Sequence, residues 1–420
     1  MRKGLKQAEV SRRECAAGLA MFGLFLAGCS TSGMGPAAPS AALAPAPGQQ
    51  GAIRAPVKIA LLLPMGGMGE TAAIAKSLKQ GAEMALFEVN DPNVQLVTKD
   101  DGGTEVRARA AAEEAIKDGA EIIIGPLLSQ SVSGAASVAR QANVPLLAFS
   151  NNTQVAGNGV YLVNFLAEQE TDRIVSFAAS RGKRRFAALI QADAYGDVIE
   201  AAFRNAVRRN GGVVAVVERY PLAANGMLSP AKRVMEAMKA GETEMAPIDA
   251  LFVPGGPETL PQIGPVIAYA GIDTRKVQLL GNSAWDFPTV GRDAAFVDGW
   301  YPSPDPVSWR AFSERFAKTF GSAPPRIASV SYDAISFAIS LAANPPGTRF
   351  TQANLTRANG FSGVDGIIRF HPDGLSERGL AVLQVEKFGT AVVDPAPASF
   401  EATRLSAADQ MSTGSVPARN

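Results

Sequence analysis

Histidine and cysteine are almost missing from this 420-residue chain, which has one His and two Cys. The single His371 excludes multi-His metal sites and leaves itself alone for a Ser-His-Asp type of mechanism. Cys15 and Cys29 both precede Ser30. Everything after them therefore lacks disulfides, Cys metal sites and thiol nucleophiles. An excess of one charge is also lacking. The net charge is +1 with 19% charged residues, so nothing in the balance asks for nucleic acid. The densest basic spot, residues 181–185 (RGKRR), follows a predicted helix and reads as cations at a helix C-terminus. No repeat of 20–50 residues is present, which excludes a solenoid. Gly66-Gly67-Met68-Gly69 follows a predicted strand but fits neither phosphate-binding glycine pattern. Long apolar runs are missing too: the N-terminal one, residues 16–27, has about 12 residues where a spanning helix needs about 20.

That short run has a meaning of its own. Arg2, Lys3, Lys6, Arg12 and Arg13 precede it, and Leu26-Ala27-Gly28-Cys29 closes it. A basic start, a short apolar core and small residues before a break make a secretory signal. The Leu-Ala-Gly-Cys ending resembles a bacterial lipobox, in which the Cys becomes the lipidated first residue. The expectation is a lipoprotein signal peptide over 1–28 and a lipid anchor at Cys29, which holds the chain to a membrane in the cell envelope, facing the periplasm. Ser30 stands where an Asp would favour inner-membrane retention, so the outer membrane is favoured. Residues 29–55 are Ala, Pro, Gly and Ser with almost no charge. They cannot bury enough apolar surface to offset their ordering entropy and are expected to form a tether. Residues 389–420 are expected to be a disordered tail.

Between them, strands predicted at 57–63, 94–98, 121–124 and 146–149 alternate with helices at 70–90, 104–118 and 130–142, the second capped by Thr104. The pattern restarts with an extended segment at 160–165 and strands at 186–191, 213–219, 250–253 and 277–280, again separated by helices. Buried, non-alternating strands between amphipathic helices mark parallel sheets covered on both faces. The fold class is α/β, with two doubly wound parallel-sheet lobes. The end differs: helices at 308–320 and 328–343, then strands at 366–370 and 380–385 joined as a hairpin through His371-Pro372-Asp373-Gly374. The chain is therefore expected to cross between lobes more than once. The two-lobed body covers 56–388, with lobe one at about 56–163 and 300–347 and lobe two at about 164–299 and 348–388.

Several stretches, taken in order, resemble the type I periplasmic binding proteins, the family of branched-chain amino acid receptors of ABC importers. They are Ile59 to Pro64 with its Gly-rich loop, Gly81 to Ala85, Asp100-Asp101, Gly125 to Ser131, Pro145 to Thr153, Asp193 to Gly196, Gly255 to Glu258 and Gly366 to Gly374. Within that superfamily the chain is most similar to a lipoprotein branch, the penicillin-binding-protein activators. The likeness rests on the start Leu61-Leu62-Leu63-Pro64, on the stretch from Asp249 to Trp285, and on the lipobox followed by a Pro/Ala tether. The resemblance implies a non-catalytic envelope protein that regulates peptidoglycan synthesis by activating a penicillin-binding protein. The alternative is a receptor for an amino acid or related solute that hands it to an ABC permease. It implies no cofactor and no metal.

In open α/β lobes ligands sit beyond the C-terminal ends of the strands. The candidate cleft residues are therefore Met65 and Gly66 after the first strand, Ser129, Gln130 and Ser131 after the third, and Ser150, Asn151 and Asn152 after the fourth. Hydroxyls, amides and helix N-termini of this kind hold carboxylates. Helix capping and turn chemistry explain the same residues. From lobe two come Tyr195, Glu258 and Trp285, where an aromatic can stack on a ligand and Glu258 can hold an ammonium. Packing between lobes explains Trp285 equally well. Glu168 stands near the first crossover where receptors carry an Asp. The pair Asp100-Asp101 reads as a solvated turn rather than an acid/base or metal site.

Overall fold

In a computed structural model, residues 56–223, 226–244 and 246–400 are described. They belong to one compact unit that begins at Arg54. The expected signal peptide, Cys29, the tether and the tail beyond residue 400 lie outside the described residues.

The first strand, β1 (Val57–Leu63), shows how the sequence builds a two-faced layer. Ile59, Leu61 and Leu63 point to one side and Ala60 and Leu62 to the other, and all five are fully buried. A strand with both faces apolar needs cover on both. The next elements supply part of it: α1 (Gly69–Val89), β2 (Val94–Asp100), α2 (Glu105–Lys117), β3 (Ala120–Ile124), α3 (Ser129–Gln141), β4 (Leu146–Ala148) and β5 (Val160–Leu162). The five strands run parallel in the order β2-β1-β3-β4-β5. Helices α2 and α3 cover the Ala60/Leu62 face. The Thr104 hydroxyl accepts the Arg107 N–H and caps α2.

Lobe two continues with α4 (Ala167–Ser180), β6 (Arg185–Gln191), α5 (Ala194–Arg209), β7 (Val213–Tyr220), α6 (Leu228–Thr243), β8 (Ala250–Phe252), α7 (Leu260–Tyr269), β9 (Gln278–Leu280) and β10 (Trp300–Ser303). Phe186, Ala188 and Ile190 face α4 and α5, while Ala187 and Leu189 face α6 and α7. The chain then returns to lobe one through α8 (Pro306–Phe320), α9 (Ile327–Ala342), α10 (Gln352–Leu355) and a small sheet of β11 (Phe361–Gly363), β12 (Gly366–Phe370) and β13 (Ser376–Arg378). Helix α9 lies against α1 so closely that a Cβ on Gly81 would stand 2.2 Å from the Ala328 carbonyl oxygen. The last pair, β14 (Ala381–Glu386) and β15 (Gly389–Asp394), is antiparallel and extends the lobe-two sheet to β15-β14-β10-β9-β8-β6-β7.

Both lobes and the repeated crossing are as expected, and four details are not. Residues 348–378 pack on lobe one rather than lobe two, because Phe350, Leu355, Phe361, Ile368 and Phe370 join the core beneath β1. The lobe-one return after β9 also begins later than 300, since β10 pairs within the lobe-two sheet. The hairpin partner of β12 is β13, while residues 381–386 leave for lobe two. The stretch expected to open a disordered tail at 389 is strand β15, held by its ladder to β14. The lobe-two sheet is consequently mixed, with five parallel strands and two antiparallel ones at one edge.

Candidate functional site

Three crossovers join the lobes, at residues 163–166, 304–305 and 379–380. Among the described residues, one ion pair spans the lobes directly, from Arg326 Nη2 at the start of α9 to Asp286 Oδ2 after β9 at 3.9 Å.

The lobe-one wall is built at strand ends. The Gly66 N–H donates to Asp100 Oδ1 at 3.3 Å, and Met65 beside it is part-exposed. Burial raises the Asp100 pKa, but the Gly102 and Gly66 N–H groups and Arg107, 2.6 Å away, outweigh that and hold it below the carboxylate range. Its neighbour departs from the expected solvated turn. Asp101 is fully buried, accepts the Gly103 N–H at 2.7 Å through Oδ1, and leaves Oδ2 without a partner. Burial, with the Asp100 charge behind it, pushes its pKa up to about 6 against the opposing Gly103 hydrogen bond.

Helix α3 starts where β3 ends. No side chain caps it, and its first intrahelical bond runs from the Val132 N–H to the Leu128 carbonyl. The N–H groups of Ser129, Gln130 and Ser131 thus remain at a helix N-terminus that carries partial positive charge. The Ser131 hydroxyl is fully buried and has no partner among the described residues. The Gln130 side chain instead reaches the Gly103 carbonyl. After β4, Ser150 Oγ accepts the Asn152 N–H at 3.2 Å and Asn152 Oδ1 accepts the Gln154 N–H at 3.0 Å, which is turn and cap chemistry. Asn151 is exposed.

The lobe-two wall is different in kind. Asp193 caps α5 by accepting the Gly196 N–H, which places Tyr195, exposed, at the helix start. Burial, and then the Glu170 charge, raise the Tyr195 pKa. Asn282 is fixed by the Gly255 N–H. Glu258 is exposed, and among the described residues its backbone carbonyl alone is engaged, by Gln262. Trp285 does not line the cleft. It is fully buried, its Nε1 donates to the Val253 carbonyl at 3.0 Å, and its ring packs edge-on against Phe296. Trp285 is a core residue because Gly281 and Gly299 leave the room its ring fills: a Cβ on either would fall within 2.6 Å of it.

Two residues of the site were not anticipated. Glu168 is exposed, and the engaged carboxylate on that helix is Glu170, which is buried and accepts both the hydroxyl and the N–H of Ser283. Burial raises its pKa. Its position on the buried α4 face, one turn before Ile174, was the available signal. The second is Arg378, at the end of β13. It donates to the Val163 carbonyl, lies 4.5 Å over the Phe165 ring, and leaves Nε and Nη1 without partners. It ties the first crossover to the third. Burial lowers its pKa against the opposing charges of Asp365, Asp333 and Glu170. His371 is part-exposed in its turn, 3.4 Å from Glu377. Among the described residues no group of three His, Cys, Asp or Glu side chains is placed to hold a metal, and no helix is long and apolar enough to cross a membrane.

Two lobes with mostly parallel sheets that face each other across a cleft and share three crossovers define a type I periplasmic binding protein fold. The chain belongs to the periplasmic binding protein family, whose model matches residues 56–390. A putative branched-chain amino acid ABC transporter protein from Rhodospirillum rubrum superposes with a TM-score of 0.68 at 19% identity, covering 80% of this chain and 100% of that one. A substrate-binding protein from Desulfitobacterium hafniense in complex with Leu superposes with a TM-score of 0.60 at 19% identity, covering 80% of this chain and 99% of that one. An uncharacterized protein of Rickettsia prowazekii is 24% identical over 164 residues, which span 39% of this chain and 43% of the relative.

Proposed function

We propose that this protein is a lipid-anchored envelope receptor, attached through Cys29, whose cleft takes a small carboxylate-bearing solute of the amino acid class. The observation that carries this reading is the uncapped start of α3. Three backbone N–H groups and the buried, unpartnered Ser131 hydroxyl stand together there at the end of β3. A helix N-terminus of this kind binds anions without a formal cation. Across the cleft, Tyr195 and Asn282 offer a hydroxyl and an amide, and the unpaired Glu258 is available for an ammonium. The leucine complex of the Desulfitobacterium neighbour is consistent with such a ligand. Closure of the lobes about the crossovers would select the bound state, with an ABC permease as partner and no catalysis.

Thermal unfolding of the purified protein with a panel of amino acids and other small carboxylates tests this. A true ligand at 100 times its dissociation constant adds about 2.7 kcal/mol of stability. Ser131→Ala should weaken that ligand by about ten-fold, the loss of one hydrogen bond to a charged group. A flat panel would sink the receptor reading.

A second reading is favoured by the withdrawal of Trp285 into the core, which removes the expected stacking group from the lobe-two wall. On this reading the chain regulates peptidoglycan synthesis by activating a penicillin-binding protein. Faster glycan polymerisation by such a synthase on adding the protein, with a flat ligand panel, would favour it.

A further inference from the structure

The basic stretch at 181–185 finds its place on the side of lobe two away from the cleft. There the loop between α4 and β6, the approach to β9 and the β14–β15 turn surround a cavity of about 700 Å³. Lys183, Arg275, Lys276, Arg292 and Lys387 all line it, with Asp298 the only acidic lining residue. Arg275 is paired with Asp273 and Lys276 stands 4.0 Å from Glu242. Lys183, Arg292 and Lys387 have no acidic partner among the described residues. In a chain with a net charge of +1 this is a local concentration of cations rather than a reflection of the whole. The same rim carries Phe388, 86% exposed at the tip of the hairpin, with the Lys387 ammonium 5.6 Å from its ring centre.

We propose that this face docks on a membrane surface rich in anionic phospholipid. Lipid phosphates would enter the cationic cavity and Phe388 would lie at the acyl boundary. A single occupant then satisfies both features: the unpaired cations meet phosphate, and the exposed ring meets hydrocarbon while its neighbouring ammonium stays among the headgroups. Val57, where the chain enters the body, lies on the side of lobe one away from the cleft. The docking face is therefore separate from both the chain's point of entry and the solute cleft.

The test is vesicle flotation with the protein from Pro56 onward, which carries all three sheets and their cores and none of the N-terminal apolar run. Vesicles of phosphatidylglycerol and phosphatidylcholine in a 1:2 ratio should carry the protein up, and pure phosphatidylcholine vesicles should not. Binding should fall steeply between low and high salt. The combined variant Lys183→Glu, Arg292→Glu and Lys387→Glu should bind at least about ten-fold more weakly. Its thermal unfolding should match the parent, because none of the three is in an ion pair. Phe388→Ala should weaken binding several-fold with the salt dependence unchanged. Equal binding to both vesicle types, or an undiminished triple variant, would overturn the proposal. So would protection of the cavity by glycerol phosphate with no vesicle binding, which would mark a soluble phosphate site instead.

Discussion

The indole N–H of Trp285 donates to the carbonyl of Val253 at 3.0 Å inside the lobe-two core. The bond joins the ends of β8 and β9 from within, where a ligand-stacking ring would have faced outward.

Replacing that ring tests the assignment. Trp285→Phe keeps an aromatic against Phe296 but strands the Val253 carbonyl. The expected loss is about 1–3 kcal/mol, the desolvation cost of an unpaired buried acceptor. Trp285→Ala should cost about 3–5 kcal/mol through the cavity it leaves. Urea unfolding measures both. An unchanged midpoint for Trp285→Phe would return the ring to the cleft.

Asp101 makes a prediction with pH. Its folded pKa, about 6, lies above the unfolded value. The folded state therefore holds the proton more tightly. The associated stability is fully present below about pH 4 and is lost as pH rises through about 6. Asp101→Asn retains an acceptor for the Gly103 N–H and cannot ionise. It should match the parent near pH 4 and exceed it by about 2 kcal/mol at pH 8. Chemical denaturation across that range gives the comparison, and parallel curves would contradict the assigned burial.

Arg378 is a buried cation that feels the charges of Asp365, Asp333 and Glu170, with Arg326 also paired to Asp365 at 3.6 Å. Removing it should be costly: Arg378→Met takes one of the two cations from this acidic cluster and frees the Val163 carbonyl, with an expected loss of about 1–3 kcal/mol. Burial, and then the Asp365 charge, already raise the Asp333 pKa. Stability tied to its bound proton is present at low pH and is lost as pH rises through that raised value. Loss of the guanidinium adds to this, so the variant's deficit should grow between pH 5 and pH 8. Unfolding of parent and variant at both pH values reads it, and a deficit independent of pH would show that the arginine acts by packing alone.

Much of this architecture is legible in the sequence. Strand β1 has the predicted bounds, because seven residues in which apolar side chains serve both faces have few alternatives. Helices α1 to α9 fall within a few residues of expectation, and the short α10 was not expected. Their buried stripes and the Thr104 cap are local features, as a reading of sequence requires. Strands β10, β11, β13 and β15 were not seen: β10 pairs with β14 some eighty residues on, and β11 and β13 (FSG and SER) are hairpin strands beside β12 that carry almost no apolar pattern. Pro302, inside β10, argues against a central strand by the usual rule. The lobe to which Phe350 and Phe361 belong cannot be read from their hydrophobicity, because either core would take them.

The site was legible in outline and not in detail. Loop residues after strands point to the cleft on topological grounds, and Ser131 and Tyr195 do stand at helix starts beyond strand ends. Whether a strand-end aromatic faces ligand or core depends on the space beneath it. For Trp285 that space is set by Gly281 and Gly299, one of them fourteen positions away. Glu170 differs from Glu168 only in which side of α4 it occupies, and the helical period separates the two.

The three crossovers also govern when the protein can fold. Lobe one lacks its α9 cover and its β12 contacts until residue 370 has been made. Lobe two lacks the β14 partner of β10 until residue 386. Neither core is complete on an emerging chain before its final segments arrive. A polypeptide arranged in this way stays unfinished through most of its synthesis, the state in which a chain can still be threaded across a membrane.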